Sequence, residues 1–493
     1  MGEANSEGLN FLTQGADLKM RKKKGQKGKE EQLRLFPKQQ ISLRPTGTRG
    51  SGTTECKRME SNFFSLLARN RALTVGLLQE VMSPLNLNKA YESVRRNGGS
   101  SGVDEMDVKE MKAWLKLNGK SLIEQVLRGE YIPQKVLGVE IPKPNGGVRL
   151  LGIPTVLDRL IQQAISQQMT IWYEPIFSES SYGFRPGRSA LQAIEQSSEY
   201  ISKGYEWVVD IDMEKFFDRI NQDRLMQRLY KGIGDKGLLG LIRQYLKAGM
   251  LIGGLEEQRT SGTPQGGPLS PLLSNIVLDE LDKELEKRGH LFVRYADDCN
   301  IYVKSKLAGQ RVLASISKFI EGKLKLKVNE QKSGVRRCEE VKFLGYTMLP
   351  QGGIRIADKS IQRFKEKVKQ TTKRNRGVSF TKIIAELNTI HQGWVNYFQL
   401  ANCWLPWRNL DGWIRRRLRS YRLKQCGRKF TTFKFLRKLG AEKGEAWNAI
   451  IYGGGWWNLS SKKVCQRTMN KRWFDYNGLR ALEDICKKKR LNC

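Results

Sequence analysis

The sequence predicts an α+β fold followed by an all-helical, strongly basic C-terminal part. Three observations support that reading. Short β-prone runs, WVVDID at 207–212, FVRYADDCNIYVKS at 292–305 and VKFLGYTML at 341–349, lie between long helical patterns with no regular βαβ period. From residue 356 onward the apolar spacing is helical throughout. The charge is lopsided: +23 of the formal net +37 falls in residues 360–493, where 31 Lys or Arg face 8 Asp or Glu. A chain of 493 residues exceeds one compact core, so about two to four domains are expected.

Residues 1–60 are polar and basic, with MRKKKGQKGK at 20–29. They read as a solvated, disordered tail or as a weak nucleic-acid contact. A helical pattern begins at 61, with Phe63, Phe64 and Leu67, then Leu77, Leu78 and Val81. LNLNKAYESVRRNGGSSGVD, from Leu85, reads as a short helix and a loop. A helix at 157–172 is marked by Leu157, Leu160, Ile161, Ala164, Ile165, Gln168 and Trp172 on one face. Another is expected from Leu269 to Arg288, with Leu273, Ile276, Val277, Leu281 and Leu285 as its stripe and Gly289 as its stop. VKFLGYTML is followed by the turn signal PQGG and by IRI, so a hairpin is expected there. Three further helices follow: Ile361, Phe364 and Val368; then Ile383, Leu387, Ile390, Trp394 and Phe398; then Leu410, Ile414, Leu418 and Tyr421. No internal repeat is present.

Composition narrows the chemistry. Repulsion at a net charge of +37 is relieved when a polyanion shares it. Nucleic acid is the leading partner and an anionic membrane surface the second. In residues 360–493 the basic residues interleave with eight of the eleven tryptophans. That pattern suits phosphate contact with base stacking. Helical packing with snorkelling Lys and Arg explains the stripes but not the charge excess. No run of about 20 apolar residues predicts a membrane span. The polar start MGEANSEG is no signal peptide, although Gly2 with Ser6 fits the loose myristoylation pattern. None of the eight cysteines forms a CxxC pair, so zinc is not expected and a reduced, cytoplasmic setting is. With only His290 and His391, a His-dependent nuclease or metalloprotease centre is not expected. A catalytic metal must rely on carboxylates, which suits Mg²⁺.

The acids supply candidates. Asp297 and Asp298 interrupt a β-prone run, either as an exposed hairpin tip or as a pair neutralised by a cation. In WVVDID, strand alternation puts Trp207, Val209 and Ile211 on one face and Val208, Asp210 and Asp212 on the other. Those two acids face solvent, or they join Asp297 and Asp298 in a cluster that divalent cations occupy. Two Mg²⁺ ions about 4 Å apart would stabilise the attacking and leaving oxygens of an in-line phosphoryl transfer. SGTPQGGPLSPLLSNIVLDELD at 261–282 adds a loop whose Gly262, Gly266 and Gly267 permit close backbone approach, or form an ordinary helix entry.

Seven stretches, in this order, resemble the successive motifs of group II intron reverse transcriptases and maturases. They are IPKPNGGVRLLGIPTVLDRLIQQA, SYGFRPGRSA, DIDMEKFFD, GTPQGGPLSPLLSNI, RYADD, LKVNEQKS and FLGY. The resemblance is strong over 85–400 and thinner to the C-terminus. It implies a right-hand polymerase. After the 1–60 tail and an N-terminal extension at 61–130, fingers and palm would span 131–355. A helical thumb, the maturase domain, would follow at 356–425, and a basic DNA-binding domain at 426–493.

The resemblance also implies residue roles. Asp212 and Asp297, with Asp298 beside them, would ligate two Mg²⁺ ions. Asp212 is preferred to Asp210 because the family's metal-binding Asp lies five residues before an aromatic, here Phe217. Phe217 would exclude a 2′-hydroxyl, unless it is a plain core aromatic. Lys143 and Arg149 would hold the incoming deoxynucleoside triphosphate. Gln265 would line its pocket, and Lys332 could protonate the leaving pyrophosphate. Arg185 and Arg188 would track the template, unless they form surface salt bridges. Gly345 would grip the primer terminus. The implied function is RNA-directed DNA synthesis, with binding of the parent intron RNA to assist splicing and support of intron mobility at a DNA target. Alternatives are a splicing-only RNA-binding maturase and a domesticated reverse transcriptase in host defence or repair. The chain resembles members that lack a C-terminal endonuclease.

Overall fold

The structure, a computed structural model, describes residues 73–142, 146–401 and 404–490. The 1–60 tail, the pattern at 63–67 and Lys143 lie outside the described residues. The chain forms two compact units. Among the described residues, one is built from 73–193 together with 207–336, the other from 194–206 and 337–490.

The first unit holds two four-stranded sheets. In one, β1 (Val136–Pro142) pairs antiparallel with β2 (Val148–Ile153). In chain order the next strands are β3 (Trp207–Ile211), β4 (Met250–Ile252) and β5 (Leu255–Glu257). The first sheet runs β2-β1-β4-β5, with β1 and β4 parallel. The second sheet runs β6-β7-β3-β8, where β6 is Leu291–Tyr295, β7 is Asp298–Val303 and β8 is Gly334–Arg337. β3 pairs antiparallel with β7, from Trp207 opposite Val303 to Ile211 opposite Cys299. Parallel and antiparallel pairs mix with long helices, so the α+β expectation holds.

Two helices anchor this unit, and both match their apolar stripes. The first is Val156–Tyr173, started by the Thr155 hydroxyl, which accepts from the Asp158 N–H at 3.2 Å. Its Leu160, Ile161 and Ile165 are fully buried. The second is Ser270–Lys287, with Leu273, Ile276, Leu281 and Leu285 in the same core. Gly289, at φ +69°, ends it. Each such aliphatic side chain contributes roughly 1.5–3 kcal/mol by leaving water. Asp279 and Asp282 are also buried on this helix, an arrangement that the apolar stripe does not announce.

From residue 337 on, the second unit holds three short strands: β9 (Lys342–Phe343), β10 (Tyr346–Met348) and β11 (Ile354–Ile356), in the order β11-β10-β9. The hairpin across PQGG is present, with Tyr346 opposite Ile356. The expected continuous strand at 341–349 is instead two. Leu344 at φ +50° and Gly345 at φ +82° turn the chain back, so that Tyr346 pairs with Phe343. Helices Asp358–Thr371, Phe380–Tyr397 and Trp404–Gln425 follow, then shorter ones to Arg490. An aromatic cluster joins them: Trp394 stacks on Phe364 at 4.2 Å and meets Trp407 edge-on at 5.0 Å. Tyr346 packs against Phe398 at 5.0 Å. The three strands are thus packed with the helices, in the unit that resumes at residue 337. Among the described residues no helix is long and apolar enough to cross a membrane.

Candidate active site

β6 and β7 form a hairpin whose two turn residues are Ala296 and Asp297; Tyr295 pairs with Asp298 across it. Ala296 adopts φ +58°, a left-handed conformation that tightens the turn. β7 lies beside β3, where Asp210 faces Asn300 and Ile211 faces Cys299. The ladder ends there, and Asp212, the next residue on β3's side, lies close enough to Asp298 for the two carboxylates to interact. Residues more than 80 positions apart are therefore neighbours. β3 itself departs from simple alternation: Val208 is buried along with Val209 and Ile211, so the sheet is covered on both faces there.

Burial and the neighbouring Asp212 carboxylate push Asp297 up, while Arg149 and Arg294 pull it back. Asp298 is pushed up to about 7, first by desolvation and then by Asp297, Asp210 and Asp212. Its side chain reaches solvent at the hairpin tip, yet dense protein around it and three acidic neighbours dominate its electrostatics. Desolvation also raises Asp210, against the Arg336 guanidinium that bonds it at 3.0 Å. Carboxylates held in this way favour a cation.

Two basic residues at the end of LKVNEQKS and just after it meet the acids. Lys332 Nζ lies 3.4 Å from both Asp212 oxygens. The Ser333 hydroxyl accepts from the Asp212 N–H at 2.9 Å, and the Asp212 carbonyl accepts from Asn329 N–H at 2.8 Å. The backbone of Asp212 is thus fixed by a segment about 120 residues later. Among the described residues no three carboxylate, imidazole or thiol groups are drawn into one ready ligand shell. The aspartates are neighbours, with Asp212 turned to Lys332. The hard oxygen donors and the raised Asp298 fit Mg²⁺ in kind.

Phe217 is half-buried and meets Phe216 edge-on at 5.2 Å. The glycine loop reaches it directly. Thr263 N–H donates to the Phe217 carbonyl at 2.8 Å, and a Cβ on Gly262 would fall 2.7 Å from that same oxygen. Only glycine fits there, at φ +80°. Gln265 follows, half-buried, its carbonyl accepting from Gly152 N–H at 2.6 Å. The loop therefore bridges β2 to the Phe216–Arg219 turn of helix. Arg149 lies exposed on β2, opposite Ile141.

The Arg185 guanidinium is 3 % exposed. It donates to the Ser178 and Ser181 carbonyls and to Glu174, and lies over the Phe177 ring at 5.5 Å. These bonds tie its loop together. Arg188 is largely engaged too, bonded to the Glu179 side chain and lying over Tyr182 at 5.6 Å. Gly345 belongs to the helical unit, where its carbonyl accepts from Ser360 Oγ and Ala357 N–H, both at 3.0 Å.

Sequence reasoning missed Ser333, Phe184 and Arg294. Phe184 sits exposed at φ +60° one residue after Gly183, which abuts the aspartate turn: a Cβ on Gly183 would fall 2.2 Å from Ala296 N. An exposed aromatic in a left-handed conformation has no signal in composition. Arg294 gave one, as a charged residue inside an apolar strand.

Residues 141–348 match the family described as reverse transcriptase (RNA-dependent DNA polymerase), and residues 361–440 match the group II intron maturase-specific domain. Protein YkfC of Escherichia coli (strain K12) is 30 % identical over 314 residues, covering 55 % of this chain and 82 % of that protein. The group II intron-encoded protein LtrA of Lactococcus lactis subsp. cremoris is 32 % identical over 323 residues, covering 52 % of this chain. The chain spans about half of LtrA's length, 54 %. A putative COX1/OXI3 intron 2 protein of Saccharomyces cerevisiae is 31 % identical over 267 residues, 42 % of this chain and 31 % of that one. With its polymerase motifs on the two sheets and its maturase-specific region in the helices, the chain belongs to the group II intron reverse transcriptases and maturases.

Proposed function

We propose that the chain copies RNA into DNA with Asp212, Asp297 and Asp298 as its metal-binding aspartates. We propose also that it binds its parent intron RNA to assist splicing and supports intron mobility. The observation that carries the reading is the meeting of β3 and the β6–β7 hairpin, which leaves Asp298 at about 7 among other carboxylates. In the right-hand description, 131–355 supply fingers and palm, 356–425 a thumb and 426–493 a DNA-binding domain.

In the reaction a primer 3′-hydroxyl attacks the α-phosphate of a deoxynucleoside triphosphate, and pyrophosphate leaves. Mg²⁺ held by the three aspartates would supply positive charge to the attacking and leaving oxygens. The exposed Arg149 guanidinium would bind triphosphate oxygens by charge-assisted hydrogen bonds, with Lys143 as its partner. Lys332 Nζ, already beside Asp212, is suited to hand a proton to the leaving pyrophosphate. The Phe217 ring, its backbone held by Thr263, would press on the sugar and exclude a 2′-hydroxyl. Gln265 would line the same pocket.

The test is primer extension on poly(rA)·oligo(dT) with Mg²⁺, alongside a splicing assay on the parent intron. Incorporation of dTMP is expected. Absence of incorporation with splicing intact leaves only the RNA-binding role. Phe217→Ala is expected to admit ribonucleotides, and unchanged sugar discrimination would remove the gate assignment.

A further inference from the structure

Arg294 is fully buried at the base of the aspartate turn. All five of its N–H donors are engaged. Nε donates to Asp282 Oδ1 at 2.7 Å, and Nη2 to Asp282 Oδ2 at 2.5 Å and Ser181 Oγ at 2.7 Å. Nη1 donates to Asn275 Oδ1 at 3.0 Å and to the Ala296 carbonyl at 2.9 Å. The backbone of the same residue pairs with Ser180 O and Tyr182 N, both at 2.9 Å. Asn275 completes the frame by donating to the Gly183 carbonyl at 2.9 Å.

These bonds join three segments distant in sequence: the 180–183 loop, the Ser270–Lys287 helix and the 296–297 turn. Asp282, Asn275 and Ser181 are as buried as Arg294. A buried ion pair is a weak source of stability, since apolar residues of the same volume commonly do as well. An apolar residue could not hold a carbonyl. The Ala296 carbonyl belongs to the peptide that enters Asp297, and Ala296 is in a conformation that L residues seldom adopt. The planar fork fixes that peptide's orientation relative to a rigid helix.

We infer that Arg294 is a positioning residue that sets the aim of Asp297 and Asp298 through the Ala296 carbonyl, an assignment that rests on the polymerase reading above. Fully buried, it acts through the turn rather than on substrate or metal. Lysine at this site would keep a charge near Asp282 but could not reach Ala296, Asn275 and Ser181 together.

The experiment compares full-length wild type with Arg294→Lys and Ser181→Ala. Single-turnover dTMP incorporation on poly(rA)·oligo(dT) is followed against MgCl₂, and Mn²⁺ binding is measured separately by electron paramagnetic resonance. Arg294→Lys is expected to lower the rate constant per active molecule about 100-fold. It should weaken Mn²⁺ binding and raise the Mg²⁺ half-saturation about 10-fold, with primer–template affinity unchanged. Ser181→Ala should move the same quantities about 3- to 10-fold, and it decides the matter if circular dichroism shows that Arg294→Lys does not fold. A purely structural residue would lower the active fraction alone. That result, or an unchanged rate constant and metal dependence, overturns the inference. If wild type incorporates nothing, the polymerase reading fails, while Mn²⁺ affinity in the variants still decides whether Arg294 positions the aspartates.

Discussion

The two units treat positive charge in opposite ways. In the unit that carries the aspartates, the key cations are matched with carboxylates: Arg185 with Glu174, Arg228 with Asp279 and Glu280, Arg294 with Asp282, Lys332 with Asp212 and Arg336 with Asp210. In the helical unit many arginines engage neutral partners. Arg416 lies over Trp457 at 4.1 Å and Arg422 over Phe435 at 4.5 Å. Arg419 donates to the Ser460 and Met469 carbonyls, and Arg417 to Thr372 Oγ1. Ion pairs such as Arg376–Glu386 and Arg467–Glu445 occur there, but 8 acids cannot neutralise 31 bases after residue 360. A guanidinium held by a carbonyl or a ring keeps its net charge, available to an external polyanion. One paired with a buried carboxylate, as Arg294 is with Asp282, is a fixed structural part. In the first unit it is therefore the carboxylates at the hairpin tip that remain under-compensated, and they call for a cation.

If that division is right, substitutions should separate cleanly by unit. The largest effect is expected from Asp297→Asn, which should lower DNA synthesis by about 10³-fold or more while leaving RNA binding nearly intact. Equal loss in a filter-binding assay would break the division. Next is Arg228→Met, which strands the buried Asp279, already pushed up to about 6 chiefly by desolvation. Denaturant unfolding should show a loss of about 3 kcal/mol, with no change in the salt dependence of RNA binding.

His391 gives a comparable effect in the helical unit. It is fully buried, its Nδ1 bonded to the Arg480 carbonyl at 2.8 Å, and desolvation holds it down at about 4. The folded form prefers the neutral ring. Its contribution is therefore complete above the unfolded value near 6.5 and is lost as pH falls from there towards 4. A stability loss on the order of 3 kcal/mol is expected across that window, and His391→Gln should flatten it. The smallest effect should come from Lys434→Gln and Lys438→Gln, both exposed on Lys429–Lys438. Each should reduce the slope of log K against log salt for RNA by roughly 0.7–0.9, without touching the rate of synthesis.

Much of this was legible in the chain. The helices at 156–173, 270–287, 380–397 and 404–425 follow from apolar periodicity, because one buried face per helix leaves a local imprint. The acids on β3 and the hairpin were legible as residue types out of place in apolar strands. Their contacts were not: the resemblance brought Lys332 to the site but not against Asp212, and Ser333 also arrives from about 120 residues away. Arg294 and Asp282 illustrate the same gap: a charge inside an apolar strand marks Arg294 as unusual, but its partner on a helix is visible only once the fold brings them together. The bonds Arg185 makes to its own loop were not legible either, since nothing local distinguishes an arginine that binds phosphate from one that bonds its own loop. The break at Leu344–Gly345 was hidden because FLGY carries β-prone residues on both sides of a tight turn.

The central claim is that the acids of β3 and the hairpin together hold divalent cations. Anomalous scattering from Mn²⁺-soaked crystals of the full chain tests it most directly. The account predicts peaks bonded to Asp212 and Asp297, lost in Asp297→Asn crystals. Strong peaks elsewhere, with none within ligand distance of these carboxylates, would contradict it.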